Sequence, residues 1–171
     1  MKIILTILLL TPYIYAKSNT EKIGDFFALA IPITAYGTTY YQDDEEGRTE
    51  FYKSYGTNLA MTMALKYTVK EKRPDNSDKD SFPSGHTSTT INSAVFMHKR
   101  YGLSYAIPLY TGAIYTGYSR IHSDRHHPKD VLAGTLLGAV SAWYFTTPSK
   151  HFNITPVVNN QYKGINMSYN F

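Results

Sequence analysis

The chain has 171 residues and no cysteine, which excludes disulfide bonds and metal sites built on cysteine. This length is sufficient for one domain with its own hydrophobic core. The formal net charge of +4 suits an anionic ligand or a membrane surface but identifies neither. Sixteen tyrosines indicate either packing near the surface or a belt of aromatic side chains beside lipid.

The first 16 residues have the features of a signal peptide. Lys2 supplies the positive charge, residues 3–10 form the apolar segment, and Ala16 is a small residue at the expected cleavage position. Ile14 occupies a position where a small residue is preferred, so an uncleaved membrane anchor is the alternative. Either interpretation predicts that the protein is exported.

Apolar periodicity predicts five helices, at residues 21–41, 50–72, 86–100, 103–119 and 129–146. The acidic run at residues 43–47 is interpreted as a solvated loop rather than a calcium site, because its oxygen ligands do not alternate. The fifth helix is apolar all round over residues 131–140, so we expect it to be central. Gly134 and Gly138 in that run have a spacing that allows a close helix crossing.

The predicted fold is therefore all-α. A compact bundle of core helices occupies residues 17–147, after the leader at residues 1–16. The apolar runs after the leader are interrupted before the roughly 18 residues of a simple membrane span, and the mean hydropathy is only -0.31. Residues 148–171 form a tail in which alternating side chains around a turn at Asn159 and Asn160 predict a β-hairpin.

A histidine in the stretch 119–130 stands between a cation and a carboxylate. Arg120 is six residues before His126, and Asp130 is four residues after it. If Pro128 opens a helix, His126 and Asp130 are about one turn apart. Asp130 can then hold one ring nitrogen and leave the other to attack, which is the arrangement used in covalent catalysis. The guanidinium of Arg120 can bind an oxyanion beside them.

Two other segments fit the same anion. A Pro-Ser-Gly-His sequence predicts a turn that opens a helix, so Ser84 and Gly85 can bring backbone amides and a helix N-terminus to a negative charge. His86 follows at the edge, where an acid or base is useful. Lys66 and Arg73 are seven residues apart, and on one helix this spacing would place both cations on the same face.

In residue type, spacing and order, these segments resemble the three-part signature of the type 2 phosphatidic acid phosphatase family. Its superfamily also includes bacterial non-specific acid phosphatases and vanadium haloperoxidases. The resemblance covers residues 66–142. It implies a metal-independent histidine phosphatase without a cofactor. The expected partners are a phosphorylated lipid or a small phosphomonoester and a membrane surface, and no nucleic acid is expected.

The resemblance also implies a role for each motif residue. His126 would attack phosphorus and form a phosphohistidine, and Asp130 would orient its ring. His86 would protonate the leaving oxygen and then activate water. The charge on the phosphoryl oxygens would be balanced by a set of cations and helix N-terminal groups. These phosphate-binding residues would be Lys66, Arg73, Ser84, Gly85 and Arg120.

The leading hypothesis is an exported phosphatase in the bacterial periplasm or envelope, associated with a membrane. Its substrates would be lipid phosphates or diphosphates such as phosphatidate, phosphatidylglycerol phosphate, undecaprenyl diphosphate or lipid A. A soluble periplasmic acid phosphatase of broad specificity is the alternative. A vanadium-dependent haloperoxidase and an envelope protein that binds phosphate without turnover are two further alternatives.

Overall fold

The computed structural model of the chain describes residues 18–149, 153–158 and 163–168. The first of these ranges folds into a bundle of helices, which confirms the predicted all-α architecture. The predicted leader lies outside the described residues. The helices are α1 (Asn19–Tyr41), α2 (Glu45–Val69), α3 (Gly85–Tyr101), α4 (Leu103–His122) and α5 (Pro128–Phe145).

Helix α3 occupies the centre of the bundle and packs against each of the other four helices. It is buried along most of its length although many of its side chains are hydroxyls. These hydroxyls are satisfied within the helix, since Thr90 Oγ1 donates to the His86 carbonyl at 2.9 Å and Ser93 Oγ to the Thr89 carbonyl at 2.9 Å. A helix with small, internally bonded polar groups can therefore serve as a core element.

The predicted close crossing involves α5 and α3. A Cβ added at Gly134 would lie 2.5 Å from the Ser84 carbonyl oxygen, and one at Gly138 would lie 2.2 Å from the Ser88 carbonyl oxygen. Only glycine allows the two backbones to approach this closely. Asn92, fully buried on α3, donates to the Gly138 carbonyl at 3.3 Å and ties the crossing together.

The prediction that α5 is the central helix is wrong, since α3 occupies the centre and α5 has an exposed face. Its glycine face packs on α3, while Leu132, Leu136 and Val140 on another face are 60%, 58% and 66% exposed. The physical reason is that close packing selects the face with the smallest side chains, so the large apolar ones point outward. Over the described residues, no helix is both long and apolar enough to cross a membrane.

The acidic run at residues 43–47 is only partly a solvated loop, because α2 begins at Glu45 and Asp44 is buried, while Asp43, Glu45 and Glu46 are exposed. Asp44 caps α2 and is 5% exposed, and α2 begins at the next residue, before its predicted start. The partner of Asp44 is Arg100 at the end of α3. Its Nε and Nη2 donate to the Asp44 carboxylate at 2.7 and 2.6 Å. Arg100 also reaches Glu46 at 3.1 Å and Glu50 at 3.2 Å. The run therefore anchors α2 to α3.

Helix α2 ends earlier than predicted. Lys70 adopts a left-handed conformation with φ 49° and caps the helix by donating its N–H to the Lys66 carbonyl. Arg73 consequently lies in the following loop, and the predicted shared helical face of Lys66 and Arg73 is wrong. The loop brings the two cations together by another route, through Asp80.

After the bundle, β1 (Asn153–Val158) and β2 (Lys163–Ser168) pair antiparallel, with Asn153 opposite Ser168 and Val158 opposite Lys163. The turn predicted at Asn159 and Asn160 lies outside the described residues. The predicted boundary between bundle and tail remains a prediction.

Candidate active site

The connection between α4 and α5 positions the central histidine. The Arg120 carbonyl accepts the N–H of Arg125 at 3.0 Å and that of His126 at 3.2 Å, which folds the chain back at the end of α4. Asp124 makes the turn possible by taking a left-handed conformation, φ 53°. Pro128 is the first residue of α5, as predicted. Arg120 and His126 are thus fixed to one another by local backbone geometry.

His126 is 4% exposed, and its Nδ1 lies 2.7 Å from the carbonyl oxygen of Ser81. A carbonyl only accepts, so Nδ1 carries the hydrogen and the neutral ring has its lone pair on Nε2. His126 lines a pocket together with several cations. The ring therefore has the tautomer and the surroundings that a nucleophile requires.

Asp130 does not hold the His126 ring directly. Its Oδ2 is 3.8 Å from Nδ1, which is too long for a hydrogen bond. The same oxygen instead accepts from Ser81 Oγ at 2.5 Å and from the His127 N–H at 2.9 Å. Asp130 thus fixes Ser81, whose carbonyl fixes the ring. The predicted direct contact is wrong because Ser81, 45 positions before His126 in the chain, binds Nδ1 through its carbonyl oxygen.

Burial, together with the positive charge of Lys66, lowers the pKa of His126 to about 4. The hydrogen bond to Ser81 acts in the opposite direction but does not outweigh burial. The ring is therefore neutral through the physiological range, and its lone pair is available for attack.

The free energy of unfolding should fall as the pH drops from 6.5 to about 4, because the unfolded chain binds a proton at His126 and the folded chain does not. A pKa difference of this size corresponds to about 3 kcal/mol. His126→Gln has no proton to gain, so urea unfolding at several pH values should show a smaller pH dependence in the variant. The same pH dependence in both proteins would mean that His126 binds a proton as readily in the folded protein as in the unfolded chain.

The cations Lys66 and Arg73 meet at Asp80, in the loop between α2 and α3. Arg73 donates to the Asp80 carboxylate from Nε at 3.1 Å and from Nη2 at 2.9 Å. The Lys66 ammonium donates to the backbone carbonyl of Asp80. Burial lowers the pKa of Lys66, and the nearby negative charge of Asp80 opposes this shift without cancelling it. Asp80 therefore places both cations beside the site, although Arg73 is not on the helix.

Arg120 is 3% exposed and is held by three partners. Its Nη1 donates to Asp25 Oδ1 at 2.8 Å, its Nη2 to the Glu21 carbonyl at 2.9 Å and its Nε to Ser119 Oγ at 3.1 Å. Asp25 and Glu21 belong to α1, outside all three predicted segments. The guanidinium is thus fixed in orientation before any ligand binds.

The third predicted segment forms the start of α3. Ser84 is the N-cap, is fully buried, and its Oγ lies 2.9 Å from Thr87 Oγ1. Gly85 is the first residue of the helix, and the side chain of His86 is 45% exposed. The helix N-terminus and the His86 imidazole therefore lie at the boundary between the protein interior and solvent.

Four of the eight predicted site residues line one pocket of about 240 Å³. Lys66 and Gly85 line an adjoining groove that shares His86 with this pocket. Ser84 and Asp130 are 0% exposed and lie behind the surface. The residues that line the pocket are Glu21, Asp25, Arg73, His86, Arg120, Arg125 and His126.

Sequence reasoning missed several residues at this site. Glu21 and Asp25 had one signal: with Lys22 they are the charged residues of an otherwise uncharged α1. Ser81 and Asp80 had none beyond their place in a polar loop. In the described part of the chain, no group of three or more histidine or acidic side chains is arranged to hold a metal ion.

Known proteins share both the sequence pattern and the fold. The chain is 42% identical over 100 residues to the lipid A 1-phosphatase of Porphyromonas gingivalis, which is 50% of this chain and 22% of that protein. It is 32% identical over 115 residues to the lipid A 4'-phosphatase of Helicobacter pylori, which is 64% of this chain and 58% of that protein. The chain thus spans well under two thirds of the length of both relatives.

The crystal structure of Aquifex aeolicus LpxE superimposes with a TM-score of 0.57 at 21% identity, covering 76% of this chain and 87% of that one. This likeness supports the helical fold. The sequence profile of the PAP2 superfamily matches residues 3–153. The match covers most of the chain and includes all three segments identified above, so the chain belongs to the PAP2 superfamily.

Proposed function

We propose that this protein is a phosphatase that removes a phosphoryl group from a membrane lipid through a phosphohistidine at His126. The observation that carries the chemistry is the buried neutral ring of His126, held at Nδ1 by the Ser81 carbonyl beside the guanidinium groups of Arg73 and Arg120. Phosphoryl transfer needs a positioned nucleophile and fixed positive charge around the equatorial oxygens. The pocket supplies both.

In the first step, His126 Nε2 attacks phosphorus, a phosphorus–nitrogen bond forms, and the bond from phosphorus to the leaving oxygen breaks. His86 gives its proton to that oxygen. In the second step, His86 takes a proton from water as the water oxygen bonds to phosphorus and the phosphorus–nitrogen bond breaks. Asp130 supports both steps through Ser81, and Lys66 adds positive charge near the site.

An apolar groove supports a lipid as the substrate. It has a volume of about 300 Å³, runs between α1 and α2, and meets Lys66 and His86 at the phosphate pocket. Its remaining lining is mostly apolar or uncharged: Ala28, Leu59, Thr62, Met63, Gly85 and Thr89. A lipid phosphate has an apolar part that needs such a surface next to its charged group, whereas a small soluble ester has none.

Exposed apolar side chains support action at a membrane surface. On α1, Phe26, Leu29 and Ile33 are 64%, 66% and 60% exposed. Leu132, Leu136 and Val140 on α5 are exposed as well, and exposed apolar patches are a feature of proteins that contact membranes or partners. With the predicted leader, this surface supports an exported protein of the bacterial envelope. The names of the two lipid A phosphatases make lipid A the first substrate to test.

The test is phosphate release by the purified chain in detergent from lipid A, phosphatidate, phosphatidylglycerol phosphate and undecaprenyl diphosphate, with p-nitrophenyl phosphate for comparison. We expect one lipid to be preferred and vanadate, which mimics pentacoordinate phosphorus, to inhibit. Equal or faster turnover of p-nitrophenyl phosphate would favour a soluble acid phosphatase instead. Turnover of none of these substrates would contradict the proposal and direct attention to vanadate-dependent halide oxidation or to simple phosphate binding.

The groove itself can be tested with two methionines of α2. Met63 is 67% exposed and lines the groove, whereas Met61 is 47% exposed and lies outside its lining. Met63→Gln should lower kcat/KM for the preferred lipid by about tenfold, because that factor corresponds to about 1.4 kcal/mol of lost apolar contact. Met61→Gln should match the wild type. If both variants treat the lipid alike, the lipid does not occupy this groove.

A further inference from the structure

One carboxylate connects the two halves of the site. Oδ1 of Asp25 lies 2.8 Å from Nη1 of Arg120 and 3.4 Å from Nε2 of His86. The side chain of Asp25 is 28% exposed and that of Arg120 is 4% exposed. Asp25 belongs to α1, so a helix outside the three predicted segments contributes a charge to the reaction centre.

The contact depends on a close approach of α1 to α4. A Cβ at Gly24 would lie 1.9 Å from Ser119 Oγ and 2.8 Å from Arg120 Nη2, so only glycine fits at this position. The Glu21 carbonyl, one turn earlier, accepts from the same Arg120 at 2.9 Å. The N-terminal part of α1 is thus fitted to Arg120, and this fit places Asp25 beside His86.

The charges that face His86 make this carboxylate chemically significant. Lys66 from α2, Arg120 from α4 and Arg73 from the preceding loop all disfavour a positive imidazole, and His126 lies in the same pocket. Arg125 and Glu21 also line the pocket, but Glu21 is paired with Arg125 at 2.9 Å. Asp25 makes a direct contact with the His86 ring, at 3.4 Å from Nε2.

Building on the proposed function, we infer that Asp25 is a positioning residue that binds Nε2–H of His86 and thereby holds the ring protonated and aimed. The remaining nitrogen, Nδ1, then exchanges the proton, as in other sites where a carboxylate orients a catalytic histidine. As the bond to the leaving oxygen breaks, Nδ1–H gives its proton to that oxygen and the ring becomes neutral. In hydrolysis Nδ1 takes a proton from water. The Nε2–H group keeps its hydrogen and donates it to the Asp25 carboxylate as a hydrogen bond throughout.

Asp25→Asn removes the charge and preserves the shape. Its matched control is Asp43→Asn, the same change at an exposed residue with φ 48°, a conformation that asparagine tolerates. Asp25→Asn should lower kcat by about 100-fold for an alkyl phosphate, whose alkoxide is a poor leaving group. It should lower kcat by less than about threefold for p-nitrophenyl phosphate, whose leaving group needs little help from an acid. Inhibition by vanadate should be unchanged or tighter, because a negative charge beside Arg120 is removed.

A purely structural role predicts a different result: equal loss of kcat for both leaving groups, weaker vanadate inhibition and a lower thermal unfolding temperature. That pattern, or activity equal to that of Asp43→Asn, would overturn the inference. A wild-type chain that releases no phosphate from any substrate would instead contradict the proposed function. If the wild type is active and His126→Gln is inactive, the proposed function stands. The leaving-group comparison alone then decides the role of Asp25.

Discussion

His126→Gln is expected to reduce phosphate release by about 10⁴-fold or more, since removal of a covalent nucleophile has effects of this order. Glutamine has no nitrogen lone pair that can attack phosphorus, while its size suits the buried position. In the proposed mechanism the attacking atom is Nε2, because the Ser81 carbonyl binds Nδ1 and leaves the lone pair on Nε2. Steady-state kcat with the preferred lipid and with p-nitrophenyl phosphate measures the loss.

The adjacent His127 provides the matched control. Its Nε2 lies 3.2 Å from the Lys72 carbonyl, and its side chain is 38% exposed and turned away from the pocket lining. His127→Gln should therefore keep most of the activity. Rapid quenching with a phosphate-labelled substrate should give an acid-labile phosphorylated protein in the wild type and not in His126→Gln. Loss of activity and label in His127→Gln alone would assign the nucleophile to His127.

The local parts of the site are predictable from the sequence because their geometry is set within a few residues. Pro128 opens α5, the chain reverses at Asp124, and His126 follows Arg120 at a fixed spacing. The helix N-terminus at Ser84 is equally local, since serine is a common N-cap residue. The family signature records these local constraints, so it identifies the motif residues without any knowledge of the fold.

The partners of those residues are not predictable in the same way. Asp25 and Arg120 are 95 residues apart, and Ser81 and His126 are 45 apart. Their contacts depend on how closely the helices pack, which the glycine faces decide, and the sequence does not state which glycines meet which helix. The central place of α3 does not follow from apolar periodicity either, because its hydroxyls bond within the helix and so can be buried without leaving unsatisfied groups.

The buried ionic cluster at the far end of the bundle leads to the largest expected change in stability. Arg100 is 2% exposed and binds Asp44 at 2.6 and 2.7 Å and Glu50 at 3.2 Å. Tyr101 Oη also donates to Asp44 at 2.8 Å. Arg100→Met keeps the apolar stem but leaves two carboxylates in the interior without their cation. We expect it to lower the free energy of unfolding by about 3–5 kcal/mol.

Urea unfolding in one detergent, with Lys53→Met at an exposed position of α2 as control, measures this loss. The pH dependence identifies its cause. Burial raises the pKa of Asp44, but hydrogen bonds from Arg100 and neighbouring groups outweigh burial and lower the pKa below its ordinary value. The ionised carboxylate therefore stabilises the wild type at neutral pH, and this stabilisation is lost as the pH falls through the lowered pKa. In Arg100→Met the contribution of Arg100 to this compensation is lost, so Asp44 can be protonated at higher pH. The difference between the two proteins should therefore shrink as the pH approaches 4. A difference that stays constant from pH 7 to 4 would show that Arg100 stabilises the bundle by packing alone, not by charge.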